Sequence, residues 1–109
     1  MGKYFRTRLK NISGVSQMPY KIIFTKGYTK RAAQFFKRHP DLLDLYKKTL
    51  QLLELNPSHP SLGLHPLKGK LQSLHSISLN ISYRITIELI VTEKTIIPVH
   101  IGTHDEVYR

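Results

Sequence analysis

Three runs of alternating apolar and polar residues in the second half of the chain constrain its fold most strongly. The longest, residues 83–91, is flanked by similar runs at 74–79 and 95–101 across short turns. Alternation with a period of two is the pattern of a strand that packs one face on a core. Because the turns are short, neighbouring strands are antiparallel. The sequence therefore predicts a three-stranded sheet with one apolar face and one polar face.

A further strand and two helices precede this sheet. Residues 20–25 are β-branched and aromatic and predict a strand. Apolar residues then recur at helical spacing over about 27–38 and 40–55, and a His-Pro pair separates the two helices. Residues 56–66, with three prolines and a glycine, predict an ordered loop. The predicted class is α+β, in the order β-α-α-β-β-β. Two antiparallel helices pack on one face of a small, mainly antiparallel twisted sheet, and a short C-terminal turn follows.

The composition limits the class of protein. A chain of 109 residues predicts one domain. It contains no cysteine, which excludes disulfides and thiolate metal sites. No apolar run reaches the roughly 18 residues that a membrane span needs, and no secretory signal is evident. We therefore expect a cytoplasmic protein without a membrane segment.

Positive charge is concentrated in the first half of the chain. The net charge is +10; residues 1–48 carry 12 Lys/Arg and 2 Asp/Glu, and residues 49–109 carry 5 of each. This asymmetry favours a polyanion or an acidic protein as partner, the alternative being a surface that only confers solubility. Residues 1–18 contain four basic and no acidic side chains. They predict a flexible basic arm ahead of a domain at 19–109.

Pairing the strands around their turns brings polar residues together. With the apolar faces aligned, Arg84 lies opposite both Ser78 and Gly102, and Thr86 lies opposite His100. One face of the sheet packs on the helices. The other face is predicted to form a polar site at the end of the sheet where the last strand stops.

Two residues near this end suit chemistry on a phosphate. Arg84 can hold phosphate oxygens and stabilise charge that develops on phosphorus, although an exposed arginine paired with Glu88 or Glu106 is the alternative. His104, just beyond the last strand, suits proton transfer near neutral pH. Its alternative is a capping histidine or one paired with Asp105.

Other candidates depend on the same convergence. His65, in the loop before the sheet, is a candidate partner for His104, whereas alone it is an ordinary loop histidine. Tyr108 could stack on a base, assist proton transfer or simply pack. His100 points to the polar face, but Pro98 could bulge the strand. The six histidines lack metalloprotease spacing, and no metal site is predicted. The remaining histidines are interpreted as structural or surface residues: His39, His59 and His75.

Three motifs in this element order resemble a known family. They are His-Pro-Leu-Lys-Gly at 65–69, Ser-Tyr-Arg-Ile at 82–85 and Ile-Gly-Thr-His-Asp-Glu-Val-Tyr at 101–108. Together they resemble the RelE/ParE toxin superfamily of bacterial type II toxin–antitoxin systems, and within it the RelE/YafQ-type messenger-RNA interferases. The resemblance covers residues 20–109. It implies a metal-independent, cofactor-free endoribonuclease that cleaves messenger RNA on the ribosome by attack of the ribose 2′-hydroxyl, and so inhibits translation and growth. It also implies an acidic antitoxin that covers the site.

The resemblance assigns roles by motif position. His65 and His104 match two histidines of the YafQ type and would transfer protons, Arg84 matches the phosphate-holding arginine of the RelE type, and Tyr108 matches the C-terminal aromatic that orients the substrate. Six basic residues would contact RNA, four of them on the first helix: Lys30, Arg31, Lys37, Arg38, Lys68 and Lys70.

The chain departs from the YafQ pattern at three positions. Ser78 and Ser82 stand where that type has a further histidine and an aspartate, and His100 stands where it has an arginine. Ser78 and His100 are therefore auxiliary candidates at most. Two alternative functions stay open: a ParE-like gyrase poison, and a catalytically weak homologue that binds RNA or an antitoxin.

Overall fold

The computed structural model describes residues 19–68 and 73–103 of the chain. The predicted arm at 1–18 lies outside these ranges, as do 69–72 and 104–109. The helices and strands are β1 (Lys21–Ile22), α1 (Lys26–Arg38), α2 (Leu43–Leu55), β2 (His65–Pro66), β3 (Leu74–Ser78), β4 (Tyr83–Ile90) and β5 (Thr95–Thr103). Short 3₁₀ turns occur at Pro40–Leu42, Pro60–Leu62 and Val91–Glu93. None of the helices in the described part of the chain is long and apolar enough to cross a membrane.

The five strands form one sheet in the order β1-β5-β4-β3-β2. β1 runs parallel to β5, and all other neighbours are antiparallel. The predicted α+β class and element order are therefore confirmed. β2 is an addition, because the sequence predicted only a loop over 56–66. β1 is shorter than predicted, since it pairs with β5 only through Lys21 and Ile22.

The register of the three central strands agrees with the sequence prediction. Arg84 lies opposite Ser78 on one side and Gly102 on the other, and Thr86 lies opposite His100. On the opposite face, Ile85 is fully buried in the hydrophobic core together with its cross-strand neighbours. The polar face therefore carries the side chains that the alternation assigned to it.

One prediction for β5 was wrong. Strict alternation over 95–101 predicts Ile97 on the buried face together with Ile101, but Ile96 and Pro98 are fully buried and Ile97 only partly. The register shifts between Thr86 and Ile87, which leaves Val99 as an extra residue without a cross-strand partner. Such a β-bulge reverses which face the preceding residues occupy. His100, beyond the bulge, keeps its predicted position.

The two helices pack together through buried aromatic residues. Thr25 caps α1, since its Oγ1 accepts from the backbone N–H of Tyr28 at 3.1 Å. α1 buries Tyr28 and Phe35, and α2 buries Tyr46. The hydroxyls of Tyr28 and Tyr46 lie 2.7 Å apart. The helices and the apolar sheet face enclose the hydrophobic core.

Candidate functional site

Arg84, near the start of β4 on the polar face, is held by two neutral acceptors. Its Nε donates to the hydroxyl of Ser76, and its Nη2 donates to the carbonyl of Gly63 at 2.9 Å. Partial burial lowers the pKa of Arg84 by removing water from the guanidinium. Within the described residues no carboxylate hydrogen-bonds to it, so the predicted alternative of a pair with Glu88 is wrong. Glu106, the other predicted partner, lies outside these residues. In the part of the chain that the structure describes, the acceptors of this cation are therefore an uncharged hydroxyl and an uncharged carbonyl.

His65 lies next to this arginine. β2 pairs with β3 so that His65 is opposite Ser76, which is the residue that binds Arg84 Nε. His65 Nδ1 is 3.1 Å from the carbonyl of Gly63 and 3.3 Å from Arg84 Nη2. The sequence prediction that His65 and Arg84 share one site is therefore consistent with the arrangement of the side chains.

Gly63 connects these two side chains. It ends the 3₁₀ turn at Pro60–Leu62 with φ of 55°, a left-handed conformation that favours glycine. In this conformation its carbonyl oxygen accepts from Arg84 and contacts His65. Gly63 was not singled out in the sequence, because its role depends on a contact with a residue 21 positions away.

A row of polar residues crosses four strands beside the arginine. His65, Ser76, Thr86 and His100 are directly opposite one another in successive strands. Ser76 is completely buried and Thr86 nearly so. The Thr86 hydroxyl is buried without a hydrogen-bond partner among the residues that the structure describes. Ser76 was not predicted as a site residue, although it alternates in the same pattern as Ser78.

The serines at the departures from the YafQ pattern take part in a turn. Ser78 is opposite Arg84, but its hydroxyl donates to the carbonyl of Asn80 at 3.0 Å. The side chain of Asn80 accepts from the backbone N–H groups of Ser82 and Tyr83 at 2.9 and 2.8 Å. Ser82 itself is exposed. Both serines are therefore close to the site in sequence. Their hydrogen bonds with Asn80, however, stabilise the β3–β4 turn.

The remaining predicted residues either lie outside the described residues or are exposed. His104, Tyr108 and Lys70 lie outside the described residues, and their predicted roles stay predictions. Lys68 is exposed at the end of the loop. The basic residues of α1 are all exposed: Lys30, Arg31, Lys37 and Arg38. Arg31 also has a structural contact, since its Nη2 donates to the carbonyl of Val99 at the bulge at 3.0 Å.

The arrangement can bind an anion. The recorded hydrogen bonds of Arg84 use Nε and Nη2, and within the described residues Nη1 donates to none. Two acceptors therefore fix the plane of the guanidinium, and in this part of the chain both N–H groups of Nη1 are available to donate to a ligand. A phosphate oxygen is the ligand that such a fixed cation favours. Neighbouring imidazoles could exchange protons with the same ligand.

Comparison with solved structures identifies the fold. The toxin in the Escherichia coli DinJ–YafQ toxin–antitoxin complex is similar, with 22% identity, a TM-score of 0.68 and coverage of 84% of this chain and 99% of that one. A metal-bound toxin from Helicobacter pylori shows 28% identity and a TM-score of 0.65, over 81% of this chain and 98% of that one. The YoeB/ParE toxin from Agrobacterium tumefaciens shows 15% identity and a TM-score of 0.61, over 77% and 98%. Neither a family sequence model nor a curated protein sequence matches the chain.

These neighbours define the class of protein: the chain has the fold of bacterial toxin–antitoxin toxins. More particularly, its neighbours are toxins of the RelE/ParE superfamily, and the resemblance predicted from the three motifs is confirmed. The neighbouring chains are covered almost completely, so the similarity extends over the whole toxin fold.

Proposed function

We propose that this protein is a type II toxin that cleaves messenger RNA on the ribosome without a metal ion, and so inhibits translation and growth. One observation carries the proposal. In a RelE/ParE-like fold, the charge of Arg84 is fixed by neutral acceptors beside His65 on the polar sheet face. A charge held in this way favours the oxygens of a phosphodiester.

The proposed reaction is a transesterification within the RNA strand. The ribose 2′-hydroxyl attacks the adjacent phosphorus in line, and the bond from phosphorus to the 5′-oxygen of the next nucleotide breaks. A base takes the proton of the 2′-hydroxyl, and an acid gives a proton to the departing 5′-oxygen. The products are a 2′,3′-cyclic phosphate and a 5′-hydroxyl. Arg84 would stabilise the negative charge that builds on the phosphorane oxygens.

The contacts of His65 favour the role of base. The 3.1 Å contact of Nδ1 with the Gly63 carbonyl requires Nδ1 to donate, whereas the 3.3 Å contact with Arg84 Nη2 requires it to accept. We propose the tautomer that the shorter contact favours, with Nδ1 as the donor. The neutral ring then carries its lone pair on Nε2, which is the form that a general base requires. His104 is proposed as the acid, and Tyr108 as the aromatic side chain that orients the substrate. Ser78 is not proposed to transfer protons, because its hydroxyl donates to the β3–β4 turn.

We propose that RNA and an antitoxin compete for the same basic surface. The net charge of +10 and the exposed cations of α1 favour ribosomal RNA around the cleavage site. The same charge favours an acidic antitoxin that covers the site. E. coli YafQ, which is similar to this chain, was crystallised with its antitoxin DinJ, and this supports an antitoxin as partner here.

Expression in bacterial cells tests the proposed function. We expect induction of the wild-type chain to arrest growth and to produce new messenger RNA ends that carry a 5′-hydroxyl, mapped by sequencing. Arg84→Ala should abolish both effects at equal protein level. DNA damage and blocked supercoiling without new RNA ends would instead indicate a gyrase poison and overturn the proposal.

A further inference from the structure

A cavity of about 320 Å³ opens in the loop between α2 and β2. Ligand-binding pockets in proteins begin at roughly this volume, near 300 Å³. Its lining residues are Ser58, His59, Pro60, Gly63 and Leu64. Gly63 forms part of the wall and also accepts the 2.9 Å hydrogen bond from Arg84. Gly63 therefore connects the cavity directly to Arg84, the proposed phosphate-binding residue.

The histidine in the cavity wall is held in one tautomer. The backbone N–H of Ser61 donates to His59 Nδ1 at 3.1 Å, and the Ser61 hydroxyl lies 2.9 Å from the same nitrogen. A backbone N–H can only donate, so Nδ1 is the acceptor and the neutral ring carries its proton on Nε2. The 3₁₀ turn that follows thus fixes His59 as a donor through Nε2.

The walls combine apolar surface with this donor. Pro60 and Leu64 offer surface on which a flat ring can pack, while Ser58 and His59 offer polar groups. A nucleobase has the matching chemistry, with an apolar face and hydrogen-bond acceptors on its edge. A phosphate alone would not use the apolar walls. An amino-acid side chain would not need to be adjacent to the cation of Arg84.

We propose that this cavity receives the base of the nucleotide next to the cleaved phosphate, and that His59 Nε2 donates to an acceptor on the edge of that base. The inference rests on the proposed ribonuclease function and adds to it a residue that determines sequence preference. The sequence had indicated only a structural or surface role for His59. In the structure, the His59 side chain caps the 3₁₀ turn by accepting from the backbone N–H of Ser61, and it lines the cavity.

Mapping of cleavage sites with matched variants tests this inference. His59→Asn retains an oxygen that can accept from Ser61 N–H, as in an Asx turn, but removes the ring donor. His59→Ala removes both. His75→Asn is the control, since His75 lies in β3, does not line the cavity and contacts the carbonyl of Ser73. Each chain is expressed at equal level, RNA ends are sequenced, and base preference beside the cut is compared.

We expect wild type and His75→Asn to share a base preference at one position next to the cut. Both His59 variants should reduce that preference at least five-fold while RNA is still cleaved, and His59→Asn should keep the wild-type melting temperature. An unchanged preference in both variants would overturn the proposal. A change in His59→Ala alone would also overturn it, because the effect would then come from the lost cap. If the wild type makes no cuts, the proposed function fails first and this inference with it.

Discussion

Arg84 Nη2 donates to the carbonyl of Gly63 at 2.9 Å, across 21 positions of sequence. This hydrogen bond joins β4, the central strand of the sheet, to the loop that precedes His65 in β2. Its geometry depends on the left-handed backbone of Gly63, where φ is 55°. The backbone conformation of one glycine therefore positions a candidate phosphate-binding cation.

Gly63→Ala should weaken both stability and RNA cleavage. An added Cβ would lie 3.9 Å from Arg84 Nη2, so the space is adequate, but the left-handed conformation costs an alanine about 1–2 kcal/mol. Relaxation of that strain would turn the carbonyl away from Arg84. Gly63→Asn is the matched control, because asparagine tolerates this conformation better. Chemical unfolding and cleavage rates should show Asn closer to wild type than Ala; equal rates in all three would contradict the positioning role.

Arg84→Lys should lose most activity although it keeps the charge. An ammonium cannot bind Ser76 and Gly63 in the fixed geometry of the guanidinium, so its charge would not be held against the phosphate. Loss of one group that stabilises transition-state charge typically costs about 10²–10³ in rate. Cleavage rates of a reporter messenger measure this, with circular dichroism as a check on folding. A lysine variant with wild-type activity would show that charge alone is sufficient.

The pair of Tyr28 and Tyr46 allows a test of the core. Their hydroxyls lie 2.7 Å apart in a buried site between α1 and α2. Tyr28→Phe leaves the Tyr46 hydroxyl without this partner and should cost about 1–3 kcal/mol, and Tyr46→Phe should behave similarly. The double variant should cost less than the sum of the two, since it removes both polar groups. Urea unfolding of the four proteins measures the coupling; strict additivity would mean that the hydroxyls do not interact.

The same pair predicts a loss of stability in alkali. Burial raises the pKa of Tyr28 and of Tyr46 above the ordinary value of 10.0. The unfolded chain therefore releases these protons at a lower pH than the folded chain. The stability they contribute is complete below pH 10 and is lost as pH rises above it. Unfolding free energies from pH 8 to 11.5 should fall more steeply in the wild type than in the double phenylalanine variant, which has nothing to ionise at these positions.

The register of the central strands was predictable from the sequence, whereas its local departures were not. Short turns and strict alternation allow only one alignment that keeps the apolar faces together, so Arg84 had to meet Ser78 and Gly102. Pro98 indicated that β5 could bulge, but alternation does not say at which residue, and the structure has the extra residue at Val99.

The candidate site was predictable in part for a similar reason. Motif position brought His65 and Arg84 together, but the groups that hold them were not visible in the sequence. Ser76 is buried by the pairing of β2, a two-residue strand that no alternation could reveal in a proline-rich loop. The carbonyl of Gly63 is a backbone group, and its direction is set by a turn rather than by a side chain.

Substitutions of Thr86 can distinguish a role of its buried hydroxyl in stability from a role in RNA cleavage. It has no hydrogen-bond partner among the described residues, yet it lies in the row between Ser76 and His100. Thr86→Val keeps the shape and removes the unpaired hydroxyl, so it should stabilise the folded chain by about 1 kcal/mol. If the hydroxyl orients His100 during cleavage, the same variant should cut more slowly, while Thr86→Ser, which keeps the hydroxyl, should not. Thermal unfolding and reporter cleavage on the three proteins distinguish the cases: a valine variant that is more stable and equally active would assign Thr86 to packing alone.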